Sequence, residues 1–382
     1  AALDPGQLGF MCGIEVHQQL ATGKLHSRQP GVLYDVTIDT VPEQWKRFNR
    51  RLRAARGEGG AVDIAARFET RRNRSFVYVQ SPNAGLIELD EQPPLTHDED
   101  AVSIALTVSA LLNAKPVTLL QTMRKTVVDG SNTSGFQRTS LVSIDGVLQT
   151  ETGPVGIDVL CLEEDSARKL DTVSTGEGEQ VIYNLDRLGL PLIEIATAPD
   201  VQSPEHAKET SMALGRCLRQ TRQVRRGLGS IRQDLNVSLA CGDRVEIKGC
   251  QDLSWIPRII RLEMSRQLHF YRLANELRAQ TSSPPLPPDR RSDDASLEAE
   301  VAQTVAAHLP LTLENVSESF SSCDSKMVQS GLNSGSIMLA LPLPGLAGKF
   351  GVKSADKEGA QLPRLGRELA GAAKLAGVKG VF

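Results

Sequence analysis

An acidic side chain and an imidazole stand two residues apart near the start of the sequence. The segment GIEVHQQL alternates apolar and polar residues, as a half-buried strand does. Strict alternation places Glu15 and His17 on one strand face, and Ile14 and Val16 on the other. A carboxylate and an imidazole that point in the same direction can together bind a divalent cation. This pair is therefore the first candidate for a metal site.

Two later segments add carboxylates. In PLIEIATAPD, Glu194 stands in the middle of an apolar strand, where an unpaired charge is costly. In CLEEDSARK, Glu163 and Glu164 open a run of three acids directly after an apolar stretch. Each segment alone also fits an edge strand with its acids in water, or the start of a helix. Together with the first pair they supply oxygen ligands and one imidazole, which predicts a magnesium or manganese site.

A glycine turn next to arginines offers groups that bind phosphate. In RRGLGSIRQDLNVS the turn contains Gly227 and Gly229, and Arg226 precedes it. Backbone N–H groups of such a turn can cradle phosphate, and guanidinium groups bind it through two hydrogen bonds. The strand that follows carries polar residues in register on one face: Arg232, Asp234, Asn236 and Ser238. The spacing is not that of a Walker A loop, so an ordinary hairpin turn remains an alternative.

Two further polar segments are less specific. VEIKG places Glu246 and Lys248 on one strand face, which fits phosphate binding or a solvated face equally well. MRKTVVDGSNTSGFQRT, with Lys125 near its start, fits either a polar active-site loop or a long surface connection. Because the sequence has no G-x-S-x-G elbow and no Ser-His-Asp ordering, we assign no nucleophile.

The elements that must position these side chains favour an α+β fold. Segments with strand periodicity lack the regular βαβ succession, which predicts a largely antiparallel sheet with helices. Helices are predicted over residues 98–113, 203–220 and 255–280, the first two with Asp or Ser at the N-cap. The predicted strands are SFVYVQ, GLIELDE, VGIDVLCLEED, PLIEIAT, SIRQDLNVSLA and DRVEIKG.

A stretch rich in Pro and Ser, TSSPPLPPDRRSDDAS, predicts a linker. We therefore expect a domain with the site residues at 1–280, a linker at 281–299 and part of a further domain at 300–382. That last part contains one predicted strand, SIMLALPLPG, and it ends on KLAGVKGVF without a capping signal.

Composition restricts the function classes. The 382 residues carry a net charge of -3, so contact with nucleic acid must come from a local patch or a partner. Six cysteines without C-x-x-C spacing fit reduced thiols better than a disulfide framework or a zinc site. With no signal segment and no long apolar run, the sequence predicts a cytoplasmic protein without a membrane contact.

Six motifs, in this order and at these intervals, resemble the B/E-type subunits of tRNA-dependent amidotransferases. They are GIEVHQQL, RKTVVDGSNTSGFQRT, CLEEDSARK, LDRLGLPLIEIATAPD, RRGLGSIRQDLNVS and VEIKGCQDL. The SNTSGFQRT and RRGLGSIRQD forms are most similar to the archaeal E type, which serves glutamyl-tRNA(Gln). The part after the linker resembles the beginning of the insertion domain that this family shares with bacterial-type aspartyl-tRNA synthetases.

The resemblance implies a catalytic domain similar in fold to glutamine synthetase, and a two-step reaction. ATP and Mg²⁺ serve to phosphorylate the side-chain carboxylate of glutamate on mischarged Glu-tRNA(Gln). Ammonia from an asparaginase-like partner subunit then displaces the phosphate to give Gln-tRNA(Gln). Such chemistry needs cations and positioned charges rather than a protein nucleophile, which agrees with the residue types found.

The resemblance also implies roles for individual residues. The expected metal ligands are Glu15, His17, Glu164 and Glu194, with Glu163 a weaker candidate. The expected catalytic residues are Arg232, Asp234 and Asn236 near the nucleotide phosphates and Lys125 near the reaction centre or an ammonia channel. The residues expected to bind the nucleotide are Arg226, Gly227, Gly229, Arg232 and Lys248.

Two departures from the family pattern leave alternatives open. LHSRQP stands where family members commonly carry Cys-x-Cys. The sequence also ends inside the insertion domain, so we expect the tRNA-gripping region of the family to be missing. The alternatives are another ATP-dependent carboxylate-amine ligase acting on a free small molecule, and a non-catalytic binding module.

Overall fold

The computed structural model describes residues 3–51, 60, 62, 74–176, 178–290, 295–309, 312–357 and 359–382. The chain divides into two compact units. One comprises Met11–Val237 and Val245–Arg258, and the other comprises Ala1–Phe10, Ser238–Arg244 and Ile259–Phe382. Among the described helices, none combines the length and the apolar composition that crossing a lipid bilayer requires.

A large sheet dominates the first unit, and eight strands of the described chain form it. Their bounds are β1 Met11–Gln19, β4 Lys115–Pro116, β5 Thr122–Thr126, β6 Phe136–Gln149, β7 Pro154–Glu164, β10 Pro191–Thr197, β11 Ile231–Ser238 and β12 Val245–Ile247. The strand order is β12-β11-β1-β10-β7-β6-β4, with β5 also paired to β6. The pairs β1/β10, β10/β7, β7/β6 and β11/β12 are antiparallel. Chain-distant segments therefore meet at the centre of this sheet.

A smaller sheet lies in the same unit. It contains β2 Arg47–Arg50, β3 Ser75–Val79, β8 Arg168–Thr175 and β9 Gly178–Asn184, in the order β2-β3-β9-β8. Its β3 and β9 run parallel. Aromatic side chains of Phe76, Tyr78 and Tyr183 form the centre of a buried cluster on it. This cluster gives the smaller sheet its own core.

Two capped helices cover one face of the large sheet. Helix α1, Glu99–Leu111, begins where the Asp98 carboxylate accepts a hydrogen bond from the Ala101 N–H. Helix α2, Pro204–Gln220, begins at Ser203 with proline in its first turn. A hydrogen bond between Ser109 and Ser143 of β6 fixes α1 to the sheet. The opposite sheet face is left for the polar residues of the site.

The second unit consists mainly of helices. They are α3 Ile256–Gln280, whose first three residues belong to the first unit, α4 Ala295–His308, α5 Lys326–Asn333 and α6 Leu365–Leu375. A short strand pair, β13 Glu314–Asn315 and β14 Leu339–Ala340, accompanies them. An ion pair joins Arg278 of α3 to Glu300 of α4, with Nη2 and Oε2 2.9 Å apart. A second ion pair joins Glu276 to Lys349.

The structure confirms the predicted α+β class and the three predicted helices. One predicted strand is wrong, because GLIELDE forms consecutive turns. The carboxylate of Glu88 accepts hydrogen bonds from the nearby Gly85 N–H and from the hydroxyl of the distant Ser27, and these contacts favour turns over an extended strand. In SIMLALPLPG only Leu339–Ala340 is a strand. The predicted boundaries at 1–280, 281–299 and 300–382 stay predictions.

Candidate active site

Acidic side chains from three adjacent strands meet around His17 on the open face of the large sheet. In the β1/β10 pair His17 lies directly opposite Glu194. The imidazole Nε2 lies 3.5 Å from Glu15 Oε1, 3.5 Å from Glu163 Oε1 and 3.8 Å from Glu194 Oε2. Strand alternation explains the geometry, since Glu15 and His17 are two residues apart on β1. We call Glu15, His17, Glu163 and Glu194 the acidic cluster.

Lys125 of β5 balances part of this negative charge. Its Nζ lies 3.4 Å from Glu194 Oε2 and 3.7 Å from Glu163 Oε2. These two carboxylates raise the pKa of the lysine, outweighing the burial that lowers it. The hydroxyl of Thr139 on β6 donates to Glu163 Oε2 at 3.1 Å. The structure thus brings Lys125 to the acidic cluster.

Protonation in the cluster follows from burial and like charge. Burial and the neighbouring Glu194 raise the pKa of Glu15 to about 7 and that of Glu163 to about 8. Burial also acts to raise the pKa of Glu194, but the Glu163 hydrogen bond and the Lys125 charge lower it overall. Burial lowers the pKa of His17. At neutral pH the Glu163 carboxyl is therefore mostly protonated, the Glu15 carboxyl is about half protonated, and the imidazole is neutral.

The donor set fits a hard divalent cation. Ligand atoms of Glu15, His17 and Glu194 lie within 4.8 Å of one another, and so do those of Glu15, Asp234 and Glu246. Three carboxyl groups of the acidic cluster face one ammonium, so a cation would compensate the negative charge of the carboxyls that lose their protons when it binds. Carboxylate oxygens with one imidazole match the preferences of Mg²⁺ and Mn²⁺.

The strand β11 lines one side of the cluster. Arg232 is about one third exposed, and its Nη2 donates to Asp165 Oδ1 at 3.0 Å. Asp234 accepts from Lys248 Nζ at 3.1 Å, and the same ammonium lies 2.7 Å from Glu246 Oε1. Asn236 is half-buried and lies opposite Glu246 in the β11/β12 pair. The polar and charged side chains of β11 and β12 therefore lie beside the acidic cluster.

The glycine turn before β11 is exposed and conformationally specialised. Gly227 and Gly229 have φ values of +108° and +80°, which residues other than glycine rarely adopt. Arg226 is exposed, whereas the guanidinium of Arg225 binds the carbonyl oxygens of Leu20 and Gly31. One arginine thus holds the loop to the sheet and the next is available to a ligand.

Glu164 does not join the acidic cluster. It is buried, and both of its oxygens lie 3.1 Å from Arg138 Nη1. It lines a small polar pocket that also includes His26, Glu88 and Asn132. Two buried atoms of the lining, His26 Nε2 and Asn132 Nδ2, have no hydrogen-bond partner within the described residues. Of the two adjacent glutamates it is therefore Glu163 that reaches the cluster.

Sequence reasoning gives too little weight to three residues. It makes Glu163 only a weaker candidate, although this carboxyl lies 3.5 Å from His17 Nε2. It leaves Glu246 open to a solvated strand face, although Glu246 belongs to a group of side chains that could hold a cation. It assigns no role to Asp165, which contacts Arg232. The run Leu-Glu-Glu-Asp offers the signal, but it does not show which acid points to which face.

Comparison with protein families places the chain in a known class. It belongs to the GatB/GatE catalytic domain family, whose model matches residues 10–308. The chain is similar to the E subunit of glutamyl-tRNA(Gln) amidotransferase from Pyrococcus furiosus, with 41% identity over 377 residues, 98% of this chain and 54% of that protein.

Two further relatives carry the same name. The Methanosarcina acetivorans protein is 41% identical over 380 residues, 99% of this chain and 54% of that protein. The Methanocaldococcus jannaschii protein is 42% identical over 381 residues, 98% of this chain and 54% of that protein. The chain thus spans about half the length of the curated relatives it matches.

Proposed function

We propose that this chain carries the ATP-dependent catalytic site of a glutamyl-tRNA(Gln) amidotransferase. In the proposed reaction the site phosphorylates the glutamate side chain of Glu-tRNA(Gln), and ammonia then replaces the phosphate. The observation that carries the proposal is the convergence of Glu15, His17, Glu163 and Glu194 with Lys125 on one sheet face. Family membership and the similarity to the archaeal relatives support it.

The side chains divide the work by charge. Glu15, His17, Glu163 and Glu194 would hold Mg²⁺, which when bound neutralises charge on the transferring phosphoryl group. Lys125, at the rim of the cluster and half exposed, would attract the glutamate carboxylate or the phosphate that leaves. Arg232 and the exposed Arg226 would bind the triphosphate through forked hydrogen bonds.

The proposed chemistry also requires a source of ammonia and a tRNA substrate. The second step needs ammonia, and we propose an asparaginase-like protein as its source, in a hetero-oligomer. The relatives' name supports Glu-tRNA(Gln) as the substrate. A tRNA substrate agrees with the predicted cytoplasmic location.

Phosphate release from ATP tests the proposal. We expect release that depends on Mg²⁺ and increases with Glu-tRNA(Gln) but not with free glutamate. His17→Ala should reduce the rate by about 100-fold or more, because it removes a central ligand of the cation. Equal rates in the two proteins would defeat the metal assignment.

The controls separate the alternatives. Stimulation by free glutamate equal to that by Glu-tRNA(Gln) would favour a ligase for a small substrate. No binding of ATP to the wild-type chain would favour a non-catalytic module. Recovery of an asparaginase-like protein in a pulldown would support the hetero-oligomer.

A further inference from the structure

Asp165 is a buried carboxylate at the end of β7, next to the acidic cluster but outside it. Its side chain is about 1% exposed. The Asp165 N–H donates to the Leu190 carbonyl at 2.7 Å, and its own carbonyl accepts from the Gly189 N–H at 3.0 Å. The backbone on both sides of the carboxylate is therefore fixed.

Three segments that are far apart in the chain converge on this carboxylate. Its Oδ2 accepts from Gln19 Nε2 of β1 at 2.7 Å. Its Oδ1 accepts from Arg232 Nη2 of β11 at 3.0 Å. Arg187 lies close as well, with Nε 3.6 Å from Oδ2. The Ser166 N–H completes the set with a 2.9 Å hydrogen bond to Oδ1.

The two arginines depend on Asp165 to different degrees. Arg187 donates to the backbone carbonyls of Ser166 and Ala167, so its guanidinium stays fixed without the carboxylate. Arg232 makes its one hydrogen bond within the described chain to Asp165. The rest of its guanidinium is about one third exposed and can receive a ligand.

A fixed counter-ion changes what Arg232 can do. A free arginine side chain loses rotamer entropy when a ligand orders it. A charge-assisted hydrogen bond to a rigid, buried carboxylate removes much of that freedom in advance. The guanidinium is then held close enough to His17 for its charge to act on the imidazole.

We propose that Asp165 is a positioning residue that orients Arg232 toward the phosphates of the nucleotide. It does so through Arg232 and does not itself touch the substrate, and Gln19 holds its second oxygen in place. The inference rests on the proposed function, because it takes ATP as the ligand of Arg232. It adds a residue for which the sequence suggests no role.

Affinity for a fluorescent ATP analogue with Mg²⁺ tests the proposal in the full chain. We expect Asp165→Asn and Arg232→Lys each to weaken binding by about 10-fold, as lost charge-assisted bonds do. The double variant should bind ATP no more weakly than the single variant with the lower affinity, since both substitutions act on the Arg232 guanidinium. Additive losses, or wild-type affinity in Asp165→Asn, would overturn the proposal.

A matched control excludes a merely structural role. Arg187→Gln removes the other arginine beside Asp165, and it should lower the melting temperature but leave ATP affinity unchanged. If Asp165→Asn does not fold, Gln19→Met takes its place. We expect Gln19→Met to weaken ATP binding by about 3-fold, and this loss should not add to that of Arg232→Lys in the double variant. Loss of ATP affinity in Arg187→Gln equal to that in Asp165→Asn would contradict the proposal.

The outcomes distinguish this inference from the proposed function. If the wild-type chain binds no ATP, both fall together. If the wild type binds ATP and Arg232→Lys weakens it, but Asp165→Asn does not, only the role of Asp165 is refuted.

Discussion

Glu163 and Glu164 are consecutive in the chain and have opposite environments. Glu163 Oε1 lies 3.5 Å from His17 Nε2 in the acidic cluster. Glu164 is directed to the other side of β7, where Arg138 binds it. One carboxyl is therefore available to a cation and its neighbour is committed to an ion pair. Substitution of each by glutamine should have different consequences.

Glu163→Gln should weaken the binding of Mn²⁺ or Mg²⁺ by about 10-fold or more, because it removes a charged oxygen from the cation site. Its melting temperature should not fall, since the glutamine amide can donate to Glu194 the hydrogen bond that the protonated Glu163 carboxyl gives. Titration calorimetry with Mn²⁺ measures the affinity. Wild-type affinity in this variant would remove Glu163 from the site.

Glu164→Gln should instead destabilise the fold by about 3–5 kcal/mol, because it leaves the largely buried Arg138 charge without its ionised partner. Urea unfolding measures the difference. Cation affinity of the folded protein should stay at the wild-type value. A large loss of cation affinity with unchanged stability would show that Glu164, as the resemblance implies, is a ligand.

Glu194→Gln should strongly reduce the proposed ATP-dependent activation and leave the fold intact. The amide retains the volume of the carboxylate but not its charge, and Glu194 lies near both His17 and Lys125. We expect a rate loss of about 100-fold, measured as phosphate release. A marked fall in melting temperature would instead identify a structural ion pair.

Stabilisation by Mg²⁺ should increase with pH. The folded-state pKa values of Glu15, about 7, and Glu163, about 8, lie above the ordinary value of 4.5. As pH rises from 4.5 to 8, these two groups therefore reduce the stability of the cation-free protein. A cation that requires deprotonated carboxylates reverses this loss, so the Mg²⁺-induced rise in melting temperature should be larger at about pH 8.5 than at about pH 6. Equal rises at the two values would contradict the assignment.

Gly130→Ala should destabilise the chain by about 2–5 kcal/mol, from the strain at positive φ and from overpacking. Gly130 has φ +83°, and a methyl group there would overlap the ring of Phe76. Gly135 provides the control, because its φ of +75° is similar but open space surrounds it. Gly135→Ala should cost only about 1–2 kcal/mol in urea unfolding.

Alternation along single strands allows much of the site to be predicted. The phase of GIEVHQQL is set by Ile14 and Val16, both buried, so Glu15 and His17 must share the other face. The same reasoning holds for Glu194 between two buried isoleucines. N-cap residues likewise define the starts of the first two helices. In each case a local pattern contains the information.

The remainder depends on contacts between distant segments. In VGIDVLCLEED the apolar residues occupy both faces, so the pattern cannot show whether Glu163 or Glu164 faces the site. The registers that pair Glu163 with Leu192 and with Thr139 decide it. GLIELDE alternates like a strand, yet a hydrogen bond to its Glu88 from the distant Ser27 helps to fold it into turns. No single segment contains such partners.

Each residue of the acidic cluster lies on a strand that its neighbours must hold in register: β1, β7 or β10. A one-residue slip of β10 would turn Glu194 away from His17. A bound cation consequently reports on the assembly of three strands at once, and isolated peptides with these motifs should show no comparable affinity. Divalent ions would then bind late in folding, and they would stabilise only chains whose central strands are in the correct register.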